Sequence, residues 1–235
     1  MVMTFAALRD NLARVQDEIA RVQSREGLRQ PVRIVAVTKG HPADAVRAAA
    51  EVGLADIGEN RVQEALRKQE ELGTLAVRWH LIGHLQSNKA KYVPARFTLV
   101  HSVDSLRVAE ALQRAVDRRD ATGGPLEILL QVNVAGESTK SGCEPGALPE
   151  LVERVGALPG LCVRGLMTMA PFVDDERVQR RVFAALRELR DRAVTLGHAM
   201  PELSMGMSGD YRAAVAEGAT LVRLGTTLFG ERGND

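Results

Sequence analysis

Residues 31–40 read PVRIVAVTKG: a proline break, an apolar run from Ile34 to Val37, then a polar turn carrying Thr38 and Lys39 and closing on Gly40. A short continuous apolar run bounded by turn residues fits a strand, Arg33 to Val37, buried on both faces. Seven further segments read as strands: Ala55 to Gly58, Val77 to Ile82, Thr98 to Ser102, Glu127 to Val132, Cys162 to Met167, Glu202 to Ser204 and Leu221 to Leu224. Between them run amphipathic patterns, clearest at Leu106, Ala109, Leu112 and Val116 and at Val178, Val182, Leu186 and Leu189, with arginines on the remaining faces. Strands alternating with helices imply parallel strands joined by crossovers. Periodicity alone leaves a closed barrel and an open doubly wound sheet both standing. A count of eight favours the α/β class with a single (β/α)8 TIM-type barrel, whose functional groups gather at the carboxyl ends of the strands. Ahead of it, Phe5, Leu8, Leu12, Val15, Ile19 and Val22 form one apolar stripe, predicting an additional N-terminal helix that needs a surface to cover.

The 235 residues, 45% hydrophobic, are enough to fill one large core, and no Gly/Ser-rich or proline-rich linker divides them. A single domain over residues 1–235 is expected, with loops such as Thr122-Gly123-Gly124-Pro125 of ordinary length. Basic and acidic side chains number 31 and 30, are interspersed, and leave a formal +1, so no nucleic-acid surface is indicated. Arg9 and Asp10 interrupt the amino terminus and no segment has the apolar length of a membrane span, so a cytoplasmic protein without a signal peptide is expected. Cys143 and Cys162 lack metal or redox-pair spacing and read as free thiols.

Polar or permissive residues collect after the strands: Thr38 and Lys39, Glu59 and Asn60, His84, Asn133, Met167 to Met169, Ser204 to Gly209, and Arg223 to Thr226. Lys39 follows Ile34-Val35-Ala36-Val37, so its amine should emerge at a barrel mouth. Of 31 basic residues only five are lysine, and an amine can lose its proton and form a Schiff base where a guanidinium cannot. A salt bridge at a strand end is the competing explanation. The run LSMGMSGD, residues 203–210, and the turn Arg223-Leu224-Gly225-Thr226-Thr227 occupy the places where barrels hold phosphate, with small residues, hydroxyls and amides that can face one anion. Ser208 could instead cap the helix that follows. Arg223, between Val222 and Leu224, should point opposite to them and into the barrel. There it would disfavour protonation of a neighbouring ring nitrogen.

These residues fall in ordered motifs: AVTKG (36–40), GENRVQE (58–64), WHLIGHLQSNK (79–89), QVNVAGESTKSG (131–142), GLMTM (165–169), SMGMSGDY (204–211) and VRLGTTLFG (222–230). Together they resemble the pyridoxal phosphate homeostasis protein family, whose members adopt the alanine-racemase-like barrel of fold-type III pyridoxal 5'-phosphate (PLP) proteins. The resemblance implies PLP as cofactor, with Lys39 as the internal-aldimine lysine. It places Ser208 and the amides around Gly225 and Thr226 on the phosphate, Arg223 against the pyridine nitrogen and Asn60 near the ring or the lysine. Ser204, Met205 and Gly206 would shape the pocket edge. His84 and Asn88 match motif positions, with a structural cap the alternative for His84. Gly209 departs from the family pattern, which often has a polar residue there.

The implied function is intracellular PLP homeostasis, holding the cofactor as a Schiff base and acting as carrier or buffer. Apo-PLP enzymes are the expected recipients and a monomer the expected state. A weak PLP-dependent amino acid racemase is the alternative, and a phosphosugar-binding barrel a more distant one. Racemases of this fold pair the lysine with a tyrosine supplied alongside a second β-domain. This chain has only Tyr92 and Tyr211, and no second β-domain is expected. Tyr211 is expected to pack against the phosphate turn, and efficient turnover is not expected.

Overall fold

The computed structural model describes residues 7–119, 123–137 and 141–231. Phe5, Thr122 and residues 138–140 of the QVNVAGESTKSG motif lie outside the described residues. Eight strands follow one another around a closed barrel: β1 (Arg33–Val37), β2 (Asp56–Glu59), β3 (Arg78–Leu81), β4 (Leu99–Val103), β5 (Leu126–Gln131), β6 (Leu161–Met167), β7 (Glu202–Met207) and β8 (Leu221–Leu224). Every neighbouring pair is parallel, and β8 returns to β1 with Val35 opposite Arg223. That closure decides between the barrel and the open sheet.

The outer layer consists of α1 (Leu8–Glu26), α2 (Ala43–Glu51), α3 (Val62–Leu72), α4 (Leu106–Val116), α5 (Leu148–Gly156), α6 (Glu176–Thr195), α7 (Tyr211–Ala216) and α8 (Thr226–Phe229). A 3-10 helix, Ser87–Tyr92, lies between β3 and β4. In α1 the stripe Leu8, Leu12, Val15, Ile19 and Val22 is buried, and the helix covers α7 and α8. Each such side chain gains about 1.5–3 kcal/mol on burial. The helix runs beyond the expected Val22 to Glu26 and ends at Gly27, whose left-handed φ of 68° lets the following Leu28 amide turn back to Gln23 O at 2.9 Å. Among the described residues no helix is long and apolar enough to cross a membrane.

Strand alternation sorts the side chains into two cores. Ile34, Ala36, Ile57, Val100, Ile128, Leu130, Leu166, Val222 and Leu224 join the large cluster between barrel and helices. Val35, Leu99, Leu129, Met167 and Leu221 form a small apolar cluster inside the barrel. The rest of the interior is polar: Asp56, His80, His101, Gln131, Ser204 and Arg223 are all buried.

Two sequence expectations are corrected. Strand β7 continues through Met207, so Ser204, Met205 and Gly206 belong to the barrel wall and the turn begins at Ser208. Gly206 makes this possible: its φ is +91°, and a Cβ there would meet Ala214 Cβ at 2.5 Å and Tyr211 Cα at 2.9 Å, so α7 packs directly on the strand's backbone. Glu59 lies within β2 rather than beyond it, and hydrogen-bonds to Thr38 and to Lys68 of α3, outside the barrel wall.

Candidate functional site

The carboxyl ends of the strands surround an open cavity of about 1020 Å³. Lys39 from the turn after β1, Asn60 after β2, Ser208 after β7, and Arg223, Gly225 and Thr226 from β8 and its turn all line it. Four strand ends thus bring together six residues from both ends of the chain.

The two glycine-bearing turns meet at one hydroxyl. Ser208 Oγ accepts hydrogen bonds from the Gly225 amide at 3.3 Å and the Thr227 amide at 3.2 Å, and Thr227 Oγ1 donates to Ser208 O at 3.4 Å. Ser208 therefore ties β7 to β8 and does not cap α7, whose N-cap is Asp210; the Asp210 carboxylate accepts from the Met207 amide. Two amides converging on one oxygen form a donor set suited to a phosphate oxygen. This donor set fits the phosphate of PLP, and Lys39 on the same cavity fits its aldehyde.

Arg223 forms part of the cavity floor. It is 4% exposed, with Nη1 donating to Ser204 Oγ at 2.7 Å and Nη2 to Thr168 O at 3.0 Å. Burial pulls its pKa down to about 10, against the attraction of Asp210, which leaves it cationic at neutral pH. Behind it a chain of contacts crosses the barrel interior. His101 Nδ1 lies 2.8 Å from Ser204 Oγ, His101 Nε2 is 2.9 Å from His80 Nδ1, and His80 Nε2 is 2.8 Å from Asp56 Oδ1.

The two ends are fixed: an arginine only donates and a carboxylate only accepts, so Arg223 donates to Ser204 Oγ and His80 Nε2 donates to Asp56 Oδ1. Burial pushes His101 well below the ordinary histidine range, helped by the charges of His80 and Arg223. At the far end Asp56 is held well below the usual carboxylate range. Its burial alone would raise it, but Arg78 and His80 outweigh that, with Arg78 Nε and Nη2 at 2.7 and 2.6 Å.

The other expected site residues lie at the rim or away from the cavity. Ser204 sits beneath Arg223, while Met205 is buried in the outer core; neither they nor Gly206 line the cavity. His84 lies at the rim, half-exposed, with Nδ1 3.4 Å from Asp104 Oδ2. Asn88 is exposed on the 3-10 helix and Asn133 donates to Glu137 O in its own loop. Tyr211 is buried in the outer core and Tyr92 is on the 3-10 helix, so no tyrosine lines the cavity among the described residues. Cys143 and Cys162 are free thiols, and burial pushes Cys143 up to about 11. Sequence reasoning missed Asp56, His80 and His101. The available signal was parity: His80 alternates with Trp79 and Leu81, and His101 with Val100, on strands whose apolar neighbours face the helices.

Residues 6–233 match the family model described as alanine racemase, N-terminal domain. A "pyridoxal phosphate homeostasis protein" of Pseudomonas aeruginosa is 47% identical over 229 residues, covering 97% of this chain and 96% of that protein. The protein of the same name from Escherichia coli is 41% identical over 231 residues, covering 94% and 95%. Among solved structures, PipY of Synechococcus elongatus with PLP bound superposes at a TM-score of 0.82 with 37% identity, covering 95% of this chain and all of that one. An alanine racemase of Clostridium difficile, 15% identical, shares the fold at a TM-score of 0.74, covering 97% of this chain and 57% of that one.

Proposed function

Because the chain belongs to the pyridoxal phosphate homeostasis protein family, built on the alanine racemase N-terminal domain, we propose that it binds PLP as a Schiff base on Lys39 and serves as an intracellular carrier or buffer of the cofactor. The observation that carries this reading is the cavity itself. Lys39, the Ser208 turn, the Gly225–Thr227 amides and the buried Arg223 all open on one space. PLP supplies an aldehyde that closes reversibly on an amine and a pyridine ring that can draw electrons.

The chain's residues divide the work. Ser208 with the Gly225 and Thr226 turn orients the phosphate; Asn60 stands at the lysine side of the cavity. Lys39 would be the amine on which the aldehyde closes with loss of water, and hydrolysis would free it again. Ser204 holds Arg223 from beneath, while Met205 and Gly206 set the course of β7. Arg223, cationic and fixed by Ser204 and Thr168, would disfavour a second positive charge on a ring nitrogen held beside it and so weaken the ring as an electron sink.

Two observations support a role without rapid turnover. Arg223 is a buried cation on the cavity, which would disfavour carbanion chemistry on a ring whose nitrogen stood beside it, and no phenol among the described residues lines the cavity to act opposite Lys39. A positioned general acid or base usually contributes a factor of about 10² to 10⁴, so its lack leaves slow exchange at best. The relatives carry the name of homeostasis proteins rather than of enzymes. In this reading residues 1–235 act as one PLP-binding unit, a cytoplasmic monomer whose recipients are apo-PLP enzymes.

The test has two arms. Purified protein loaded with PLP is incubated with L-alanine and other amino acids while racemisation, transamination and decarboxylation are followed. Separately, reactivation of an apo-enzyme is timed against free PLP. The expected results are negligible turnover and measurable cofactor transfer. Turnover of about 1 s⁻¹ or faster, within the ordinary enzyme range, would replace the carrier by an enzyme.

A further inference from the structure

Behind the Lys39 turn, between the barrel wall and α3, lies a buried ammonium that is not part of the cofactor cavity. Lys68 is 6% exposed, and its Nζ donates to Thr38 O at 2.7 Å, to Glu59 Oε1 at 2.6 Å and to Glu64 Oε1 at 3.0 Å. Three donors meet three acceptors, so the ammonium is satisfied. The carboxylates pass the connection on: Thr38 Oγ1 donates to Glu59 Oε1 at 2.6 Å, and the Gly40 amide donates to Glu64 Oε1 at 2.6 Å. Glu64 is held below the usual carboxylate range. Burial alone would raise it, but the Gly40 amide and Lys68 outweigh that.

These contacts fall on both peptide planes that flank one residue. The Thr38 carbonyl belongs to the plane entering Lys39, and the Gly40 amide to the plane leaving it. Peptide planes are rigid, so orienting both fixes the φ and ψ of Lys39 and with them the direction of its Cα–Cβ bond. Gly40 itself has φ +72°, a left-handed conformation that turns the chain back so that the His41 amide also reaches Thr38 O at 3.0 Å. The residue type at position 68 follows from the same geometry. A compact ammonium can serve three acceptors around one point, whereas a guanidinium presents its donors in a planar fork.

We propose that Lys68, acting through Thr38 and Glu64, is a positioning residue that aims the Lys39 side chain into the cavity. This rests on the reading that Lys39 forms the Schiff base. Bond formation needs the amine within about 3–3.5 Å of the aldehyde carbon, and a misplacement of about 1 Å costs up to roughly 10²-fold. Loss of aim therefore slows imine formation while leaving the phosphate grip alone.

The experiment compares the wild type with Lys68→Met, Lys68→Arg and the charge-balanced pair Glu59→Gln/Lys68→Met, each checked by thermal melting. Two probes are used: PLP, read by the rate at which imine absorbance appears, and the analogue in which a methyl group replaces the aldehyde, read by its affinity. Exchange of the Gly40 amide is followed by NMR in the wild type and in each folded variant.

The expected result is analogue affinity within about twofold of wild type, as for independent sites. Imine formation should be slower by about tenfold or more in all three variants, arginine included. The Gly40 amide, protected in the wild type, should exchange faster in each. If Lys68→Met does not fold, the balanced pair and the wild-type exchange carry the test. Wild-type imine rates in the folded variants, or a wild-type Gly40 amide exchanging like an open chain, would overturn the proposal. Failure of the underlying reading looks different: the wild type itself would give no imine, or Lys39→Ala would keep it.

Discussion

Inside the barrel, Arg223 is backed by Ser204, His101, His80 and Asp56, a hydrogen-bonded line that runs from a guanidinium to a carboxylate. Outside the wall, Lys39 is backed by a cluster in which one ammonium faces two carboxylates, and the buried Glu59 Oε2 has no hydrogen-bond partner among the described residues. His101, in the middle of that line, is held neutral by its burial, and an imidazolium there would lie close to Arg223 in a medium that screens poorly. The outer cluster carries a surplus acid, and burial pushes Glu59 up against the pull of Lys68. Both hold a pocket residue in place. One does so through a line of hydrogen bonds across the barrel, the other by an ion pair that depends on charge.

The sharpest way to break the comparison is to remove the one cation from the outer cluster. Lys68→Met leaves buried carboxylates without a partner and should cost about 3–5 kcal/mol, read by urea unfolding. Adding Glu59→Gln should restore a large part of that. A loss below about 1 kcal/mol for Lys68→Met would show that the cluster is not held by charge.

The far end of the inner chain should matter next most. Asp56→Asn weakens the charge-assisted bonds to Arg78 and His80, at about 1.5–3 kcal/mol. The pH dependence carries a sign. The folded pKa of Asp56 is depressed, so the folded state binds fewer protons there than the unfolded chain, whose aspartate titrates near about 3.9. Its contribution is present above that pH and is lost as pH falls toward the folded value, so Asp56→Asn should flatten the acid limb of the stability curve. Glu59, shifted the other way, loses stability as pH rises through the window above the ordinary glutamate value, so Glu59→Gln should flatten that side instead. Identical pH profiles for the two variants would erase the distinction.

Cutting the inner chain in its middle should cost less. Ser204→Ala leaves His101 Nδ1 and one arm of Arg223 without their shared hydroxyl, for about 1–3 kcal/mol, less where water enters. A second readout is the visible spectrum of bound PLP, which should shift as Arg223 loses its anchor; an unchanged spectrum and stability would remove Ser204 from the chain.

The smallest expected effect is at the phosphate turn. Ser208→Ala removes the hydroxyl that ties the Gly225 and Thr227 amides together and should weaken PLP binding by about 0.5–1.5 kcal/mol. Pyridoxal, which has no phosphate, should bind much more weakly than PLP to the wild type and be indifferent to this substitution. Equal affinities of the wild type for the two vitamers would contradict a phosphate site at these turns.

The legibility of the sequence followed from what each signal depends on. Eight strands in order were readable because parallel strands buried on both faces leave continuous apolar runs such as Ile34 to Val37, and because α4 and α6 are plainly amphipathic. Lys39, Ser208, Gly225 and Thr226 were readable because strand ends in this architecture converge on one mouth. Closure of the barrel was not readable, since β8 meeting β1 is a long-range pairing with no local trace. The end of β7 was misread because Ser204-Met205-Gly206 looks like turn chemistry, and only the close packing of α7 on Gly206 explains a strand there. Glu59 was placed at the mouth and Lys68 passed over for a related reason. A glutamate after an apolar run reads as a mouth residue and a lysine on a helix as solvated, whereas their burial depends on how α3 packs against β2.

The most direct test of the central claim is chemical mapping of the lysine. The purified protein is loaded with PLP, reduced with borohydride, digested, and the peptides weighed. The account predicts a single pyridoxyl-phosphate adduct on Lys39 and none in Lys39→Ala. An adduct on Lys68, Lys89, Lys91 or Lys140 in place of Lys39, or a full imine spectrum surviving in Lys39→Ala, would contradict it.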